Sequence, residues 1–147
     1  MKYLRPLRAR NRLFKSICET WMCIYTQVIF RHGVTPTKEV YLNMRTRTIG
    51  VEPFLLLLEC ALLGQSDNRN PALNQLKNSI SVIVGFQNDI VSLERDITAG
   101  ETLNFACIAS EVLPAGLGVQ DRMKSVEASL VEAITMHNAA VKDAAKN

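Results

Sequence analysis

"ALNQLKNSISVIVGFQNDIVSLERDIT", residues 72–98, decides how this chain is read. Leu76, Ile80, Ile83 and Ile90 recur at helical intervals, which predicts a long helix with one buried side. A second line runs beside it: Ser81, Gly85, Asn88, Ser92 and Asp96, all small or polar. Positions four apart on a helix differ by only ~40° in direction. Asn88, Ser92 and Asp96 therefore share one face and can line a cavity. Their amide, hydroxyl and carboxylate oxygens are three hard donors, the set that suits Mg²⁺ when phosphate oxygens and water complete its octahedron. A solvated helix face gives the same loose N-x3-S-x3-D spacing, so both readings stand on spacing alone.

The chain on either side is helical too. Residues 11–31 place Leu13, Ile17, Trp21, Ile24 and Val28 near the period of a buried face. Gly33 stops that helix, and Thr37 is the expected N-cap of the next, ahead of Lys38 and Glu39. Gly50 and Pro53 interrupt it. Residues 54–63, "FLLLLECALL", are apolar nearly all round and predict a central helix. A polar turn, "GQSDNRNP", leads to the long helix, which Gly100 ends. Residues 102–112 continue as helix, "PAGLG" breaks the chain, and 120–143 form the last helix, with Met123, Val126, Leu130, Ile134, His137 and Val141 on one face. Strand patterns are weak throughout. The expected fold is an all-α, antiparallel helical bundle.

The 147 residues allow one domain. A net charge of +3 carries no nucleic-acid signature. The basic, acid-free start, "MKYLRPLRARNRLFK", reads as a frayed, solvated end, with a transit peptide as the alternative. The longest apolar run falls short of a membrane span, which needs ~20 residues. Cys18, Cys23, Cys60 and Cys107 lack metal or disulfide spacing and read as reduced, buried thiols of a cytoplasmic protein. Trp21 and Tyr25 suit core positions better than a cavity wall. His32 and His137 suit a core or a surface better than catalysis.

"NDIVSLERD" resembles the second metal motif of class I terpene synthases: Asn-Asp, an aliphatic, any residue, Ser or Thr, three residues, then an acid. The resemblance implies that Asn88, Ser92 and Asp96 bind one Mg²⁺, with Arg95 on the substrate diphosphate. The final acid is usually Glu; here Asp96 is one methylene shorter. Upstream, "TPTKEVYLNMRTRTIGVEP" is similar to the family's segment of Pro, a helical EYL, an Arg pair and a Gly at a helix break. That implies a diphosphate-sensing role for Arg45 or Arg47, split by Thr46, and an effector carbonyl at the break, matched by Gly50. "ETLNFACIA" fits the family's Gly break followed by Asn. The resemblance spans residues 12–140 and implies a partial class I isoprenoid synthase fold.

The family's aspartate-rich first motif and its C-terminal Arg-Tyr pair have no counterpart here; no two Asp are adjacent, and none precedes Asp67. The chain is therefore expected to be a single, incomplete domain. It carries one metal site and part of the diphosphate clamp of a lyase that ionises and cyclises a prenyl diphosphate such as farnesyl diphosphate. Its partners would be that substrate and either the missing front half or a second copy. The alternative is a non-catalytic helical remnant or interaction domain.

Overall fold

The structure, a computed structural model, describes residues 4–31, 35–63, 70–109 and 118–145. It contains α1 (Leu4–Arg31), α2 (Lys38–Thr48), α3 (Val51–Leu63), α4 (Pro71–Thr98), α5 (Phe105–Ala109) and α6 (Val119–Ala144). Among the described residues there is no strand, as the sequence predicts. Residues 32–34, 64–69 and 110–117, with Gly33 and His32 among them, lie outside those described.

The boundaries follow local chemistry. Thr37 caps α2, its hydroxyl accepting from the Val40 N–H at 3.3 Å. Asn70 caps α4 through the Leu73 N–H at 3.2 Å, and Pro71 takes the first helical position, where a missing N–H costs nothing. Gly50 (φ 73°) and Gly100 (φ 68°) adopt left-handed conformations at the ends of α2 and α4. Pro53 is no interruption: it sits in the first turn of α3, so Gly50 alone makes the break. For the same reason Pro6 does not prevent α1 from starting at Leu4, within the stretch expected to fray.

The core centres on α4. Phe86 and Leu93 pack with Tyr41 and Met44 of α2, Phe105, Ala106 and Ile108 around α5, and Val126 and Ala133 of α6. Phe105 meets Phe86 edge-on, with ring centroids 4.7 Å apart. α2 runs opposite to α4: Tyr41 meets Asp89, while Arg45, one turn on, lies over Gly85. α6 also crosses α4 along its length, and there His137 Nδ1 lies 2.8 Å from Ser79 Oγ as a satisfied, half-buried histidine.

Several expected faces are turned. On α4 the buried residues are Ser81, Gly85, Phe86, Asp89, Ser92 and Leu93. Ser81, Gly85 and Ser92 of the small-residue line go inward, where the lack of bulk at Gly85 lets α2 approach; Asn88 is exposed, and Ile80, Ile83 and Ile90 are only partly covered. On α1 the inward positions include Ser16, Cys23, Gln27 and Phe30, whereas Trp21 and Tyr25 are 67% and 68% exposed. α3 is peripheral rather than central: Leu56 and Glu59 are buried, but Phe54, Leu57, Leu58 and Leu62 face outward. A helix apolar all round needs cover on every side, and among the described elements only α1, α2 and α4 touch this one. On α6, Val126, Ala133 and Ala140 are buried, while Ile134 and Val141 are exposed. None of the four cysteines forms a disulfide; Cys18 is exposed and Cys23, Cys60 and Cys107 are half-buried.

Candidate metal and diphosphate site

The C-terminal half of α4 carries the site. Ser92 Oγ donates to Asp96 Oδ2 at 2.6 Å, so the hydroxyl and carboxylate one turn apart do meet. Arg95 closes on the other carboxylate oxygen, with Nη2 2.9 Å from Asp96 Oδ1, and its own side chain lies mostly in solvent. Asn104, just past the Gly100 break, is fully buried, and its Nδ2 donates to the Asp89 carbonyl at 2.8 Å and to Asp96 Oδ2 at 3.1 Å. The loop that holds Asn104 is tied down by Glu101, which pairs with Arg31 of α1 at 2.9 Å. Burial pushes the Asp96 carboxyl up, but the bonds from Ser92, Asn104 and Arg95 outweigh it and hold the group below its ordinary value. It is therefore an anion at neutral pH.

Asn88, the third expected donor, is exposed, and its Oδ1 accepts from Arg45 Nη2. The same nitrogen reaches Asp89 Oδ1 at 2.5 Å. Asp89 is the residue that the sequence reading missed. It is 1% exposed, takes a bond from Tyr41 Oη at 2.6 Å on Oδ2 and another from the Phe105 N–H at 3.1 Å. Burial pushes its carboxyl up, with Arg45, Tyr41 and the Phe105 amide opposing part of the rise. Burial also raises the Tyr41 phenol, which stays protonated and able to donate. A signal for Asp89 was present: it lies three residues after Phe86 and four before Leu93, both core positions.

The two candidate arginines separate. Arg45 is over α4, its stem fitted against Gly85, where a Cβ would stand 3.2 Å from Arg45 Cγ. Arg47 lines a cavity of about 470 Å³ between α1, α2, α3 and α4, with Glu19, Asn43, Glu52, Asn74 and Lys77. Ser81 reaches that cavity, whereas Asn88, Ser92 and Asp96 do not, so the stripe does not line one concavity along its length. Gly50 lies at the α2–α3 break.

Oxygen donors of this kind suit a hard cation: the Ser92 and Asp96 oxygens touch, while the Asn88 oxygen is held by Arg45. Among the described residues no three His, Cys, Asp or Glu gather in one metal-holding group. A single carboxylate among three oxygens leaves much of the charge to be balanced by the ligand.

The chain is a member of the family described as terpene synthase family 2, C-terminal metal binding, whose model matches residues 3–143. Among curated proteins it is similar to "Terpene cyclase 4" of Gibberella fujikuroi, 27% identical over 117 residues, covering 71% of this chain and 32% of that protein. The chain thus spans less than a third of that relative's length. No solved structure matches it. Among the described residues no helix is long and apolar enough to cross a membrane.

Proposed function

We propose that the chain carries one part of a terpene synthase active site, in which Asn88, Ser92 and Asp96 hold a single Mg²⁺ and Arg45 and Arg95 contact the diphosphate of a prenyl diphosphate such as farnesyl diphosphate. The observation that carries this reading is the 2.6 Å contact of the Ser92 and Asp96 oxygens beside the Arg95 guanidinium, in a chain of a metal-binding terpene synthase family. Mg²⁺, when bound, would neutralise charge on the departing diphosphate. The chain's own residues prepare that place. Asp96 is kept anionic. Ser92 donates its hydroxyl hydrogen bond to Asp96, which leaves its oxygen as an acceptor, with Asn104 Nδ2 3.4 Å away and a lone pair for a cation. Asn104 fixes the carboxylate from behind, and Arg95 adds positive charge at the open rim. Arg45 takes the diphosphate-sensing role in this reading rather than Arg47, because only Arg45 contacts the metal motif. Gly50, at the left-handed break, offers the backbone on the substrate side.

A second reading has its own observation. The cavity of about 470 Å³ is walled largely by polar and charged side chains, which do not suit a prenyl chain. A non-catalytic helical domain that keeps a metal stripe without turnover would look like this.

Calorimetry with inorganic diphosphate tests the site. Diphosphate is expected to bind when Mg²⁺ is present, to bind poorly without it, and to lose binding in Asp96→Ala. Equal binding with and without Mg²⁺, or an unaffected Asp96→Ala variant, would overturn the proposal.

A further inference from the structure

We propose that Arg45 is a built-in competitor for the metal: in the cation-free protein its guanidinium holds the oxygen of Asn88, and it leaves that oxygen when a diphosphate draws it away. The inference rests on the reading of Asn88, Ser92 and Asp96 as cation donors, and it adds an order to their use.

Four observations converge on Arg45. One nitrogen, Nη2, serves both Asn88 Oδ1 and Asp89 Oδ1. Asp89 is a fixed anchor, buried and independently held by Tyr41 and the Phe105 amide, so the guanidinium is tethered while Asn88 is its exposed and exchangeable partner. Gly85 removes the side chain that would otherwise lift the Arg45 stem from α4. Arg45 Nε is buried without a hydrogen-bond partner. A buried donor with no acceptor is costly, so this resting position leaves the guanidinium unsatisfied and an incoming anion would satisfy it.

The consequence is a coupling between two ligands. A divalent cation and a guanidinium at the same Asn88 oxygen repel each other. Cation binding is therefore opposed by the Arg45–Asn88 bond. Diphosphate breaks the same bond by pulling Arg45 toward itself and so releases the third donor. Each ligand then raises the affinity of the other through Arg45, in addition to their direct contact.

The test is a titration of the chain with Mn²⁺, followed by electron paramagnetic resonance of the free ion, with and without inorganic diphosphate. Arg45→Lys keeps the charge on a shorter side chain, and its ammonium is expected to follow the buried Asp89 carboxylate rather than the neutral Asn88 amide. It should bind Mn²⁺ alone about three- to tenfold more tightly than the wild type, the span expected for loss of one competing hydrogen bond of ordinary strength at an exposed acceptor. Its gain on adding diphosphate should be correspondingly smaller. Asp89→Asn loosens the anchor. Removal of a nearby negative charge would by itself weaken cation binding, so tighter Mn²⁺ binding here would report release of Arg45. Circular dichroism checks the fold of both variants, and Arg45→Lys decides alone if Asp89→Asn is less helical. If Arg45→Lys binds Mn²⁺ no better than the wild type while Asp96→Asn abolishes binding, the donor site stands and the competitor role falls. If Mn²⁺ binds to none of these proteins, with or without diphosphate, the site reading fails and the competitor role fails with it.

Discussion

Asp89 and Asp96 lie about two turns apart on one helix, and their surroundings drive their carboxyls in opposite directions. Asp89 is buried against Arg45, Tyr41 and a backbone amide, so its loss would strand a charge, a hydroxyl and an N–H together. Asp89→Ala should cost about 3–5 kcal/mol, the usual result of breaking a buried pair from one side. Asn88→Ala, at an exposed position next door, should stay within about 0.5 kcal/mol. Urea denaturation of the two variants checks the contrast. Asp96 carries the pH dependence. Its folded pKa is lowered, so the stability it contributes is present above the ordinary carboxylate range and is lost as pH falls through the folded value. Asp89, whose folded pKa is raised, acts with the opposite sign, its contribution lost as pH rises. Thermal melts on the acid side should therefore fall less steeply in Asp96→Asn than in the wild type. That Ser92 and Asp96 meet was legible, because a four-residue period is a property of the sequence. The choice between Arg45 and Arg47 was not legible, because it depends on which arginine finds Gly85 under its stem, and that is set by how α2 lies on α4.

At the scale of elements, capping chemistry was legible: Thr37, Gly50 and Gly100 end or begin helices where the sequence placed them. Gly50 adopts φ 73° with open space around its Cβ position, so substitution there tests conformation without packing. Gly50→Ala should lose about 1–2 kcal/mol, with Gly50→Asn losing less, because Asn tolerates the left-handed region. Denaturant midpoints of the two variants measure this. Burial was less legible than boundaries. Periodicity identifies an apolar face on α1 and α3 but not whether any element covers it, and most of those side chains remain exposed. Phe54, Leu57, Leu58 and Leu62 on α3, with Trp21 and Tyr25 on α1, leave more apolar surface open than a stable monomer commonly shows. Concentration-dependent association in sedimentation velocity is the expected outcome, and a Leu57→Glu/Leu62→Glu double variant should shift the chain toward monomer without loss of helix. Monomeric behaviour of the wild type across the accessible concentrations would contradict it.

For the whole molecule the decisive quantity is charge at the leaving group. Ionising a prenyl diphosphate separates a carbocation from a diphosphate anion, and positive charge concentrated at the departing oxygens lowers that barrier. Each preorganised interaction of this kind is worth about 3–4 kcal/mol, or 10²–10³ in rate. This chain offers one three-oxygen donor set and a pair of arginines beside it, and no two aspartates are adjacent in its sequence. A site with one metal and no counterpart of the aspartate-rich first motif lacks several such interactions together. The cavity of about 470 Å³ presents Arg47, Lys77, Glu19 and Glu52 where a cyclising chain needs dry apolar walls, so it does not suit the hydrocarbon end. The 147-residue chain by itself is thus expected to form little or no terpene from farnesyl diphosphate and Mg²⁺, and what cation does form should be captured by water as an alcohol. Gas chromatography of hexane extracts measures both products. A cyclic hydrocarbon released at ordinary enzymatic rates would show that acids elsewhere in the chain complete the charge around the diphosphate, and that the polar cavity is not where the hydrocarbon sits.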